Sequence, residues 1–100
     1  MPRVQLSDAA LADLERLEEF LWRTEDSLAY GLLAFIMDAL QVLTHQPGIG
    51  RPVDGGLREL IISRGRSGYL ARYAFSEVAD LVRVLRIRHQ RESGYTSDEI

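Results

Sequence analysis

The chain contains no cysteine and no lysine. Lack of cysteine excludes disulfides, thiol catalysis and cysteine-based zinc sites, and it suits a reducing, cytoplasmic setting. Lack of lysine leaves arginine as the whole basic complement, twelve residues in all. Arginine stays charged and presents a planar fork of donors, so it suits carboxylate or phosphate binding and serves poorly as a general base. The two histidines, His45 and His89, stand far apart with no clear third ligand, so neither metal nor cofactor is expected. No apolar run approaches the roughly 20 residues that cross a bilayer. The opening MPRVQLSDAA has no apolar signal-peptide core, and no membrane association is expected. Repeats and low-complexity tracts are absent from the sequence.

What is present fits one ordinary domain. The chain has 100 residues, 46% of them hydrophobic and 27% charged. The net charge of −3 conceals an asymmetry. Residues 1–50 carry three arginines against eight acids, and residues 51–91 carry nine arginines against four acids. Either the basic half meets an acidic or polyanionic partner, or the two halves neutralise each other.

Local patterns set the element order. Arg3–Leu6 alternates, with Val4 and Leu6 on one face of a short strand. Ser7 is a good N-cap, Asp8 favours the helix dipole, and Leu6 with Leu11 occupies the hydrophobic-staple positions, so a helix starts at Asp8. Leu11, Leu14, Leu17 and Leu21 give its apolar stripe, with Asp13, Glu15, Arg16, Glu18 and Glu19 on the other side. After a polar break at residues 23–26, a second helix is expected from Ser27 to Thr44, apolar over most of its girth. It is either the central core helix or a helix with one face awaiting a partner. Gln46–Pro52 makes a loop.

Three β-rich runs follow, Leu57–Ser63, Gly68–Phe75 and Leu81–His89, separated by Gly/Ser and acidic breaks as in an antiparallel meander. Strict alternation in the last places Leu81, Arg83, Leu85, Ile87 and His89 on one face and Val82, Val84, Arg86 and Arg88 on the other. The expected architecture is α+β: a short N-terminal strand and an antiparallel two-helix hairpin packed on an antiparallel sheet of about four strands. Residues 1–92 form the single domain. Residues 93–100 are expected to be a flexible tail.

The sequence resembles the RelE/ParE superfamily of bacterial type II toxins, often described as plasmid stabilisation proteins. The resemblance covers nearly the whole chain. It rests on Ser7–Leu14, on Pro47-Gly48-Ile49-Gly50-Arg51-Pro52 after Leu43, on Leu57–Leu60, on Gly68–Tyr73 and on Val84–His89, in that order. It implies a cognate antitoxin, ParD-like or RelB-like, itself dimeric and DNA-binding, whose disordered end folds over the toxin. It also implies one of two targets. ParE-like members inhibit DNA gyrase by binding, whereas RelE-like members cut messenger RNA on the ribosome. A relic that only binds its antitoxin is a third possibility.

RNA cleavage through the 2′-hydroxyl needs a base, an acid and a cation for the developing charge. The residues that fit are Glu59, Arg72 and His89. Against this reading, the chain lacks lysines, Glu59 and His89 need not share a face, and the C-terminal pattern His89-Gln90-Arg91 then Tyr95 is imperfect. The binding reading assigns target or antitoxin contact to Arg58, Arg72, Arg86, Arg88 and Arg91. Arg58, Arg72, Arg86 and Arg88 have a plainer use as well, pairing with Glu59, Glu77 or Asp80. His89 alone more often closes a strand than catalyses, and Tyr69 and Tyr73 belong in the core.

Overall fold

A computed structural model describes residues 1–92, and the tail expected over residues 93–100, Tyr95 included, lies outside the described residues. Strand β1 (Arg3–Leu6) leads through Ser7 into helix α1 (Asp8–Thr24). The Ser7 hydroxyl accepts the Ala10 amide at 3.1 Å, which fixes the helix start where the capping pattern placed it. Helices α2 (Asp26–Ala29) and α3 (Leu32–Leu40) follow, the latter running into a 3₁₀ turn at Gln41–Thr44. Strands β2 (Arg51–Val53), β3 (Leu57–Arg64), β4 (Ser67–Ser76) and β5 (Leu81–His89) complete the fold.

The sheet has five strands in the order β1-β5-β4-β3-β2, with β1 parallel to β5 and every other pair antiparallel. The fold is therefore α+β as expected, with one strand more than the sequence suggested. That strand, β2, has three residues and includes Pro52, and proline is tolerated there because β2 is an edge. The core lies between the helices and one face of the sheet: Leu14, Leu17, Leu21, Leu32, Ile36, Leu40 and Leu43 meet Ile62, Tyr69, Ala71, Tyr73, Val82, Val84 and Ile87.

Four local expectations change. On α1 the stripe is Ala10, Leu14, Leu17 and Leu21, whereas Leu11 is 46% exposed and Asp13, placed on the polar side by pattern, is buried. The helix break is Glu25 alone, not a four-residue linker. The second helix is interrupted at Tyr30–Gly31, where Gly31 takes φ 75. The Arg64 guanidinium captures the carbonyls released there, donating to Leu28 O at 2.6 Å and Tyr30 O at 3.0 Å while lying over the Phe35 ring.

Finally, β5 carries an irregularity: Arg72 pairs with Arg86 but Tyr73 pairs with Val84, so Leu85 is extra. Such a bulge shifts the alternation, and Val82, Val84 and Ile87 are all buried in the core despite the odd step between them. Residues 26–44 are long and apolar enough to cross a membrane by length and composition alone, contrary to the expectation that no stretch comes close. Gly31 interrupts this stretch, and Ala29, Leu32, Ile36, Leu40 and Leu43 are buried in the core.

Candidate functional site

The sheet face opposite the helices carries a guanidinium–carboxylate cluster. Register alone assembles it: Glu59 pairs with Arg51 on β2 and with Arg72 on β4, and residues directly opposite share a face. Glu59 is 3% exposed. Its Oε1 accepts from Arg51 Nη2 at 3.0 Å, and its Oε2 accepts from Arg72 Nη2 at 3.0 Å and Nε at 3.3 Å. Together with Val53, Asp54 and Arg88 these residues line a cleft of about 460 Å³. Arg88 also donates to the main-chain oxygens of His89 and Glu92, which ties the end of β5 to the residues after it.

Arg51 is the member of this cluster that the sequence reading did not assign to the site. The signal for it was the Gly50-Arg51-Pro52 motif itself. Its loop is built for the position. Tyr73 Oη accepts the Gly50 amide at 2.9 Å and donates to Pro47 O at 2.7 Å, while Arg58 Nη1 donates to Gly50 O at 2.8 Å. A Cβ at Gly50 would lie 2.6 Å from Tyr73 Oη and 2.8 Å from Glu59 O, so only glycine fits. Burial pushes the Tyr73 phenol up, with its Gly50 hydrogen bond and Arg58 acting the other way, and the hydroxyl keeps its proton for Pro47.

The other expected residues are elsewhere. Arg58 serves this loop. Arg86 is buried, donating from Nε to Asp13 Oδ2 at 2.8 Å and from Nη2 to Asp13 Oδ1 at 3.0 Å. Asp13 Oδ2 also accepts the Ile87 amide at 2.8 Å, so this carboxylate seals the β5 edge beyond the reach of β1. Arg86 is thus an internal tie and not a surface contact, a correction to its expected binding role. Its partner is Asp13, not one of the acids the sequence offered.

His89 pairs with Tyr69, and their rings meet edge to face at 5.2 Å. Tyr69 belongs to the core face, and Arg72, three residues on in the same strand, belongs to the other. The fold therefore brings Glu59 and Arg72 together and leaves His89 on the opposite face of the sheet. Burial lowers the His89 pKa, the neighbouring Arg91 lowers it further, and Glu92 opposes them. Burial likewise raises the Tyr69 phenol, against a smaller pull from Arg64. Among the described residues, no three or more of His, Cys, Asp and Glu gather in a group that could hold a metal ion.

Residues 4–94 match the family model described as ParE toxin of type II toxin-antitoxin system, parDE. The chain belongs to the ParE toxin family. It is 32% identical over 92 residues to Toxin RelE3 of Caulobacter vibrioides, a match covering 92% of this chain and 98% of that one. Among solved structures it is similar to the chromosomal ParDE toxin–antitoxin system from P. aeruginosa, with TM-score 0.72 and 22% identity over 89% of this chain and 96% of that one. A metal-bound toxin from Helicobacter pylori is more distant, with TM-score 0.53 and 14% identity over 94% and 100% of the two chains. These structural likenesses concern the fold. Membership of the family makes the chain the toxin component of a type II module, with a cognate antitoxin as partner.

Proposed function

We propose that this ParE-family toxin acts by binding DNA gyrase in the cytoplasm, not by cutting RNA, and that an antitoxin of the ParD or RelB kind, dimeric and DNA-binding, holds it in check. The observation that carries this reading is the separation of Glu59 from His89 by the thickness of the sheet. Cleavage through a 2′-hydroxyl requires a base and an acid at the same phosphate. Glu59 already has both oxygens hydrogen-bonded to guanidiniums, which makes it a poor acceptor for a hydroxyl proton.

What remains on the open face is a set of planar, charged donors, Arg51, Arg72 and Arg88, suited to holding an acidic surface in register. Arg91 extends the same basic end of the chain. The ribonuclease reading retains the Glu59–Arg72 pair and the RelE name of the Caulobacter relative. Two assays on the purified toxin separate the readings. Loss of gyrase supercoiling with messenger RNA left intact on programmed ribosomes supports target binding. Cleaved messenger RNA with supercoiling unaffected reverses it, and activity in neither assay leaves an antitoxin-binding relic.

A further inference from the structure

A second cleft, about 380 Å³, opens on the helical side of the sheet between the end of α1 and the ends of β4 and β5. It is separate from the Glu59 cluster, and Arg91 is the one residue that it shares with the gyrase reading. Its floor is apolar: Leu17, Leu21 and Tyr69 are buried, and Phe20 is left 55% exposed beside them. Its rim is basic. Arg23 and Arg91 line it, and neither guanidinium has a hydrogen bond or ion pair among the described residues.

Arg16 lines the cleft as well. Its Nη1 and Nη2 hold Glu92 at 2.8 and 3.4 Å, yet its Nε is buried without an acceptor. Two acids also line the cleft. Glu92 is committed to Arg16 and to the His89 amide, at 2.8 Å, which leaves Glu25 as the only uncommitted carboxylate among the described lining residues, against two uncommitted guanidiniums. A basic rim is notable on a chain of net charge −3.

We propose that this cleft binds a small apolar carboxylate, an aryl or medium-chain alkyl acid. The body lies on Leu17, Phe20 and Tyr69, and the carboxylate is taken by the rim arginines. The volume falls within the range of about 300–1,000 Å³ usual for small-molecule sites, which combine an apolar lining with a few placed polar groups. A guanidinium fork matches a carboxylate in shape and charge, and a partly enclosed floor strengthens that contact relative to open solvent.

The test is isothermal titration of the full chain with naphthoate and octanoate, the neutral naphthyl and octyl alcohols, and inorganic phosphate. The acids are expected to bind at least tenfold more tightly than the alcohols, and phosphate without an apolar body not to bind measurably. Arg23→Gln and Arg91→Gln are each expected to weaken the acids about tenfold, the size of one charge-assisted contact. Neither guanidinium is paired among the described residues, so the variants should fold normally, as checked by unchanged circular dichroism. Arg51→Gln, in the other cleft, should leave the affinity unchanged. Equal binding of acids and alcohols, indifference to both rim substitutions, or no binding of either acid at millimolar concentration would overturn the proposal. So would an acidic peptide that binds where the small acids do not.

Discussion

Replacing Asp13 with alanine should damage this protein more than any surface substitution. Asp13 is 3% exposed and Arg86 is 2% exposed, and the carboxylate meets the guanidinium through two bonds of 2.8 and 3.0 Å. Removing one partner of a buried pair leaves the other charge uncompensated, at a cost of about 3–5 kcal/mol. The Ile87 amide loses its acceptor in the same step, and an unsatisfied buried donor costs about 1–3 kcal/mol. These terms overlap, and about 4 kcal/mol is a fair central figure, a large share of the roughly 5–15 kcal/mol that holds a domain together.

Urea denaturation followed by circular dichroism gives the number. At about 4 °C or more per kcal/mol, the melting midpoint should fall by at least ~15 °C. Asp13→Asn is expected to be milder, because its side-chain oxygen still accepts from Ile87. The double variant Asp13→Leu, Arg86→Met should recover most of the loss, since it removes both charges. A cost below about 1 kcal/mol for Asp13→Ala would refute the reasoning, for it would mean that Arg86 finds water or another acceptor at no expense.

Gly50→Ala should cost about 1–3 kcal/mol, read from the same denaturation curves, because the new Cβ would meet the Glu59 backbone oxygen, which cannot swing aside. In the guanidinium cluster, Arg72→Ala should cost clearly more than Arg51→Ala: the side chain of Arg72 is 23% exposed against 61% for Arg51, and an exposed pair contributes about 1 kcal/mol or less. His89 gives a pH dependence. Its folded pKa is lowered, so the unfolded chain takes up the proton first. The stability it contributes is present above its unfolded value of about 6.5 and is lost as pH falls below that value toward the folded pKa. Denaturation midpoints measured between pH 7.5 and 5 should therefore decline, less steeply in His89→Gln, and an identical slope in both proteins would remove His89 from the cause.

The parts of the fold that the sequence disclosed are those governed by neighbours along the chain. Ser7 announces the start of α1 because its hydroxyl acts on an amide three residues away. The Gly/Ser and acidic breaks bound β3, β4 and β5 to within a residue or so, because turns and alternation are local too. The failures involve distance. Asp13 and Arg86 are 73 residues apart, and a helical wheel places Asp13 among other acids with no sign of a buried partner. The interruption at Gly31 was hidden because leucine spacing continues through it, while the carbonyls it releases are collected by Arg64 from another element.

The site shows the same division. Glu59 and Arg72 were picked for their chemistry, and antiparallel register joins them. His89 was picked with them for its chemistry, but face parity assigns it to the core side beside Tyr69. The extra residue at Leu85 reversed the expected phase of Val82 and Val84, and no residue type in VLRIR marks a bulge in advance.

The most direct measurement is a gyrase supercoiling assay run with the purified toxin and with its His89→Gln variant, alongside growth arrest on induction of each. If the toxin acts by holding its target, the variant should inhibit supercoiling and arrest growth as the parent does. Growth arrest abolished by His89→Gln, in a variant that folds normally and with supercoiling untouched by the parent, would contradict that mechanism.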